Sequence, residues 1–215
     1  MNTRKAIIII FGLVLISFVI GVYFYSQMPS QMASHWNAQG EVDGYMPKFW
    51  GLFLMPLINI GLVLLFVFIP KIDPLKENIE KFRGYYNWFI VLFFVFMISL
   101  YTQTILWNLG IEISPNVFLP IGLGFLFFYA GVLCENAKRN WFIGIRTPWT
   151  LSNEKVWEKT NKLGGKLFKI VGVFVLFGAF FEKCAVFFVI IPVISISVYL
   201  VIFSYFEYQK EVWNK

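Results

Sequence analysis

Six long apolar segments alternate with polar connections along the chain, at residues 6–25, 49–69, 85–107, 117–134, 165–181 and 185–206. A helix needs about 20 apolar residues to cross the hydrocarbon core of a membrane. No segment carries Asp, Glu, Arg or His in its middle. The pattern predicts an all-α, polytopic membrane helical bundle of six transmembrane helices. The first segment is too long for the core of a signal peptide, so we expect a retained helix.

The composition supports a membrane protein and indicates its orientation. Charged residues make up only 14% of the chain, whereas a soluble domain carries about 25%. Sixteen of the 18 Lys and Arg residues lie in the N-terminus, residues 70–84, residues 135–169 and the C-terminal tail. Because cytoplasmic connections are rich in these residues, we expect a multi-pass protein of the cell (plasma) membrane with both termini cytoplasmic. The net charge of +6 follows from this asymmetry and does not indicate direct nucleic-acid binding.

The connections suggest where function resides. The outer loop (residues 26–48) and the last cytoplasmic loop (residues 135–164) are the longest, and long loops commonly carry binding residues. We expect one membrane domain in two parts. Residues 1–84 hold the first two helices and the outer loop, and residues 85–215 hold the other four helices.

Polar and reactive residues within the segments are few. Asn59, close to Pro56, and Gln103 predict either interhelical hydrogen bonds or a polar pocket open to the outside. Cys134 and Cys184 fall on opposite sides of the membrane in this topology, so neither a disulfide nor a thiolate metal site is expected. We expect no cofactor.

The outer loop holds the only histidine of the chain, His35, close to Glu41 and Asp43. A turn at Gly40 would bring these three side chains together as metal ligands, and a second turn is expected at Asp43-Gly44. Catalytic zinc sites usually have three protein ligands, and the chain has no second histidine, so we keep metal binding as a minority interpretation. The other interpretations are a structural loop and a surface that recognises an extracellular peptide or lipid. The candidate recognition residues are His35, Trp36, Asn37, Glu41, Asp43, Tyr45 and Lys48.

The cytoplasmic loop predicts a short amphipathic helix over residues 153–163. Val156, Trp157, Thr160 and Leu163 form one narrow stripe, with charged residues on the other faces. We expect this helix to lie on the inner leaflet and to bend through Gly164-Gly165 into the fifth membrane helix. It serves either as an interfacial anchor or as a docking surface for a cytoplasmic protein. The candidate docking and signalling residues are Trp141, Arg146, Thr147, Pro148, Trp149, Asn153, Trp157 and Asn161.

Both loops resemble known sequences. The outer pattern H-W-N-x-x-G-x-x-D-G-Y-x-x-K, beginning at His35, resembles an uncharacterised N-terminal module of bacterial and archaeal membrane proteins. The cytoplasmic pattern G-I-R-T-P-W-T-L-x-N, beginning at Gly144 and followed by V-W and T-N, resembles the signature of the SdpI family of bacterial immunity proteins. Together the resemblance spans roughly residues 10 to 205.

The resemblance implies an immunity or receptor protein rather than an enzyme. It implies protection against a secreted peptide toxin, and signalling to a small cytoplasmic helix-turn-helix repressor as a further role. Two alternatives remain open from the residues themselves. One is a membrane hydrolase or metal-dependent enzyme that acts at the outer interface through His35, and the other is a small transporter or lipid-binding accessory protein.

Overall fold

Six long helices and one small β-hairpin make up the protein in a computed structural model, which describes residues 1–213. The elements are α1 (Thr3–Phe24), β1 (Gln31–Trp36), β2 (Val42–Pro47), α2 (Lys48–Ile72), α3 (Lys76–Lys81), α4 (Arg83–Asn108), α5 (Pro115–Asn136), α6 (Pro148–Ser152), α7 (Glu154–Phe177) and α8 (Ala185–Trp213). The helices α1, α2, α4, α5, α7 and α8 are long and apolar enough to cross a membrane. The predicted all-α membrane bundle of six spans is confirmed, and the protein is a multi-pass protein of the cell membrane.

The predicted bend at Gly164-Gly165 is wrong, because α7 runs without a break from Glu154 to Phe177. The amphipathic stripe does not lie on a leaflet surface, since Val156, Trp157 and Thr160 are fully buried inside the protein. The two glycines allow close packing instead of bending. A Cβ atom on Gly164 would lie 2.0 Å from Cδ1 of Ile145.

Helices α5 and α7 pack backbone against backbone through four glycines. A Cβ on Gly131 would lie 2.5 Å from the carbonyl oxygen of Gly165, and one on Gly172 would lie 2.7 Å from that of Gly124. In both helices the two glycines are seven residues apart, so they fall on one face. Lipid tails are as apolar as leucine, so small residues that permit close van der Waals contact drive helix association in membranes.

Helices α1, α2 and α4 pack together through a second apolar cluster that includes Ala6, Ile10, Val63 and Phe94. Proline 70 in α2 leaves the carbonyl of Phe66 without its helical partner, and the hydroxyl of Tyr86 in α4 donates to that carbonyl at 2.9 Å. The division of the chain between residues 84 and 85 remains a prediction.

The polar residues within these helices do not form an outward pocket. Gln103 is almost entirely buried and donates to the carbonyl of Ile113 at 2.9 Å. Asn59 is fully buried, and neither of its amide atoms has a hydrogen-bond partner within residues 1–213. The prediction of a pocket built from these two side chains and the outer loop is therefore not supported.

The bundle has two polar ends. The hairpin end holds the β-hairpin (Gln31–Pro47), the connection 109–114 and the turn 178–184. The loop end holds both described chain ends, α3 and the segment 137–153, which we call the motif loop. The six spans within residues 1–213 place the two described chain ends on one side of the membrane.

Candidate functional site

The β-hairpin is closed by a turn that Asn37 organises. Its side-chain oxygen accepts hydrogen bonds from the backbone N–H groups of Gln39 and Glu41, both at 2.9 Å. Gly40 has a φ of +83°, a conformation that a side chain would strain. The turn expected at Gly40 is therefore present, but the one expected at Asp43-Gly44 is not, because both residues lie in β2.

Gly44 has a different role from the predicted one. It faces β1, and a Cβ on it would lie 2.8 Å from Cβ of His35. The missing side chain therefore leaves room for the imidazole. Nδ1 of His35 lies 2.5 Å from Oδ1 of Asp43, and the two side chains are 71% and 44% exposed.

The third member of the predicted metal set points elsewhere. The carboxylate of Glu41 accepts from Nδ2 of Asn37 at 3.1 Å, so it does not join His35 and Asp43. Within residues 1–213, no group of three or more His, Cys, Asp or Glu side chains is arranged to hold a metal ion. The pair of His35 and Asp43 orients the imidazole and leaves Nε2 available to a ligand.

Asparagine side chains attach the hairpin to the bundle. Asn108, the last residue of α4, accepts from the N–H of Ala33 at 2.8 Å and donates to its carbonyl at 3.0 Å. Asn116 in α5 donates to the carbonyls of Ala38 at 2.9 Å and of Glu182 at 3.0 Å. One side chain thereby links the hairpin turn to the start of the last span.

Two aromatic contacts complete the attachment. Trp36 packs edge-on against Trp107, with ring centroids 5.4 Å apart. The ammonium of Lys48 lies 4.6 Å from the centre of the Tyr25 ring, a cation–π contact. Of the predicted recognition residues, Trp36 packs the hairpin on α4, Asn37 forms its turn and Lys48 contacts Tyr25 beside it, whereas His35, Asp43 and Tyr45 remain largely exposed.

A groove of about 540 Å³ opens between the hairpin, α5 and α8. Ligand pockets usually have volumes of about 300–1,000 Å³. Its hairpin wall includes His35 and Trp36. Its helical walls are mainly apolar and consist of Pro115, Asn116, Leu119, Pro120 and Leu123 of α5 with Ala185, Val186, Val189 and Ile190 of α8. The groove combines an apolar floor with a polar rim that contains His35 and Asn116.

The motif loop at the other end of the bundle is held by buried polar side chains of its own and of α7. Asn161 accepts from the N–H of Ile145 at 2.8 Å and donates to the carbonyl of the same residue at 3.3 Å. Thr147 and Thr150 form a capping box at the start of α6. The indole N–H of Trp157 donates to the carbonyl of Ala137 at 2.9 Å. Much of the motif that begins at Gly144 therefore specifies the shape of this loop.

The motif loop also joins distant parts of the chain. The carboxylate of Asp73, after α2, accepts from the backbone N–H of Trp141 at 2.8 Å. Asn78 in α3 donates to the carbonyl of Arg139 at 2.9 Å. The hydroxyls of Thr147 and Ser204 in α8 lie 3.0 Å apart. Sequence reasoning missed these partners, and it also missed the hairpin contacts of Asn108 and Asn116, although polar residues at the ends of apolar segments were the available signal.

The structure separates the predicted docking residues by exposure. Thr147, Trp157 and Asn161 are buried, so they do not belong to a docking surface. Asn153 caps α7 by accepting from the N–H groups of Lys155 and Val156. Trp149 is half-buried and packs edge-on against Tyr205. The exposed members are Trp141, Arg146 and Pro148.

Comparisons with known proteins match both ends of the chain. Residues 12–60 match a domain of unknown function (DUF1648), and residues 136–205 match the SdpI/YfhL protein family. The chain is 24% identical over 200 residues to the "Immunity protein SdpI" of Bacillus subtilis (strain 168), which covers 93% of this chain and 94% of that protein. No solved structure matches. The two family matches contain the hairpin and the motif loop, and the whole-length similarity joins them in one architecture. The chain is therefore similar to the SdpI/YfhL protein family over residues 136–205 and to an immunity protein over nearly its whole length.

Proposed function

We propose that this protein is an immunity protein of the cell membrane that binds a secreted peptide toxin in the groove at the hairpin end. The observation that supports the proposal is the groove itself, about 540 Å³ in volume and walled by the hairpin, α5 and α8. The nearly full-length similarity to an immunity protein gives the class of function. We expect no enzymatic activity, because the relative is described as an immunity protein.

The hairpin end faces the outside of the cell in this proposal. Of the 18 Lys and Arg residues, only Lys48 and Lys183 lie in the connections at that end. Retention of positive residues in the cytoplasm favours this orientation. A toxin that arrives from outside then meets the exposed His35, Asp43 and Tyr45 before it reaches the apolar floor of the groove.

The groove suits an amphipathic peptide better than a small polar molecule. The apolar side chains of α5 and α8 can cover apolar surface of the ligand and so remove it from water. Each Å² of apolar surface removed from water contributes about 25 cal/mol to the free energy of binding. The rim supplies the polar contacts that orient a ligand, through Nε2 of His35 and the side-chain oxygen of Asn116. Binding there sequesters the toxin at the outer interface before it inserts elsewhere in the membrane.

A second proposed function is signalling from the motif loop. Trp141 is 51% exposed, and Arg146 beside it donates to the Trp141 carbonyl at 2.8 Å. Trp and Arg are enriched among residues that dominate binding energy. A cytoplasmic repressor of the helix-turn-helix class is the proposed partner. Such signalling requires that toxin binds two states unequally, and a difference of about 1.4 kcal/mol shifts their ratio tenfold.

Toxin binding in the groove is tested by a bulky substitution that blocks the groove and leaves the loop end of the bundle unchanged. Val189 lines the groove, whereas Val198 lies nine residues further along α8 and is 54% exposed outside it. Val189→Trp should abolish protection of toxin-sensitive cells, because the indole fills the groove. Val198→Trp, at equal expression, should protect like the wild type. Equal protection by both variants would disprove toxin binding in the groove.

The hydrolase alternative is tested at His35, because the pair of His35 and Asp43 is the observation that favours it. His35→Gln removes general-base chemistry and retains a hydrogen-bonding side chain. If the protein only binds the toxin, cells with this variant should remain protected. Mass spectrometry of the medium should then find the toxin intact. Toxin that is cleaved by wild-type cells and intact with the variant would establish the enzyme instead.

A further inference from the structure

A second cavity, of about 360 Å³, lies between α1, α2 and α4 at the loop end of the bundle. Its deeper wall is apolar and includes Ile10, Val63, Phe66, Val67 and Phe94. Its polar lining comes from residues near the ends of helices, so the polar groups gather at the mouth. The cavity therefore has the amphiphilic layout of a lipid, with an apolar interior and a polar opening.

The mouth carries a net positive charge. Lys71, in the last turn of α2, and Arg83, the first residue of α4, both line it. The one carboxylate in the lining is that of Glu80, which accepts from Nε of Arg83 at 3.2 Å and from a second guanidinium nitrogen. The hydrogen bond and charge of Arg83 lower the pKa of Glu80, so this carboxylate is ionised at neutral pH. Two cations against one anion leave one positive charge.

Two further features of the mouth favour a phosphate group. Helices α1 and α4 both begin there, and no side chain of the described residues caps the N-terminus of α4 at Phe82. The positive end of a helix dipole attracts anions. A guanidinium has five N–H donors, so Arg83 retains donors beyond those that contact Glu80.

We propose that this cavity binds one anionic phospholipid, with its phosphate between Lys71 and Arg83 and part of an acyl chain against Val67 and Phe94. The charge at the mouth selects an anionic headgroup, and the apolar depth selects a lipid over a free phosphate. The site is independent of the toxin groove, because the two cavities share no lining residue. The bound lipid would lie between α1, α2 and α4, on the side of the membrane that we assign to the cytoplasm.

The test measures lipid binding to the full-length protein in detergent by native mass spectrometry. Phosphatidylglycerol, phosphatidylcholine and glycerol 3-phosphate are the probes. Phosphatidylglycerol should bind about tenfold more tightly than phosphatidylcholine, as expected for one charge-assisted contact. Lys71→Gln should remove most of this preference. The matched control Lys76→Gln, at an exposed residue of α3 outside the cavity lining, should keep it.

Two more variants separate a lipid site from a structural effect. Glu80→Gln removes the opposing charge and should strengthen phosphatidylglycerol binding, whereas a merely destabilised mouth would weaken it. Val67→Phe should block the acyl chain, and Val95→Phe, at an exposed position of α4 outside the cavity, should not. Equal phosphatidylglycerol binding by Lys71→Gln and Lys76→Gln would overturn the proposal, and so would displacement of the lipid by equimolar glycerol 3-phosphate.

Discussion

Replacing Asn108 by leucine should release the β-hairpin from the bundle while leaving the six spans folded. The amide of Asn108 accepts from the N–H of Ala33 at 2.8 Å and donates to its carbonyl at 3.0 Å. Leucine has a similar volume and offers neither group. Ala33 is only 4% exposed, so both of its backbone groups lose their partner in a site that water scarcely reaches.

The expected cost follows from these two groups. Each buried backbone group that loses its hydrogen-bond partner costs about 1–3 kcal/mol. For two groups that become partly solvated, the free energy of opening the hairpin should fall by roughly 2–4 kcal/mol. Each 1.4 kcal/mol is about a tenfold change in an equilibrium constant. Amide exchange at Ala33 should therefore accelerate by roughly 30-fold to 1,000-fold.

The assay is hydrogen–deuterium exchange of the purified protein, followed in peptides that contain β1. The matched control is Asn136→Leu, because Asn136 also lies at a helix end but donates only to the carbonyl of Val132 in its own helix. The control should leave exchange in the hairpin unchanged. Acceleration below about threefold in Asn108→Leu, or an equal acceleration in the control, would refute the assigned role of Asn108.

Two further predictions concern the bundle and the motif loop. Gly172→Leu should lower the free energy of unfolding of the protein in detergent by about 1–3 kcal/mol or more, because a Cβ at this position meets the backbone of α5. Gly61→Leu is its control, since no atom of residues 1–213 lies within 4 Å of a Cβ at that position. Equal melting temperatures would contradict the backbone packing of α5 on α7. Asn161→Leu removes both side-chain contacts to Ile145 and should speed limited proteolysis of the motif loop, whereas Lys162→Gln, at the exposed neighbouring position, should not. Resistance of Asn161→Leu to the protease would show that other contacts hold the loop.

Hydropathy alone was sufficient to predict the number and order of the membrane-spanning helices. Each apolar segment became a membrane helix, because a chain in lipid must satisfy its backbone hydrogen bonds within the helix. Helix ends were less predictable. Helix α7 begins 11 residues before its apolar segment, at Glu154 rather than 165, because buried contacts of Trp157 and Asn161 extend it.

The sequence predicted which loops hold the candidate site residues but not what each side chain contacts. His35 and Asp43 were placed in one loop, and the hairpin pairs them, but Glu41 turns to Asn37 because the register of the strands places it at the turn. The groove was not predictable, because its lining comes from three distant parts of the chain, at residues 34–38, 115–123 and 185–190.

The sequence by itself determined the membrane class, the six spans, the uneven distribution of charge and the two motif-bearing loops, since each depends on composition or local pattern. Only the tertiary structure decided which polar residues are exposed and which satisfy distant backbone groups. Asn108 with Ala33 and Asn161 with Ile145 show the reason. An amide side chain can serve a ligand or a buried backbone, and the choice depends on what the fold brings within hydrogen-bonding distance.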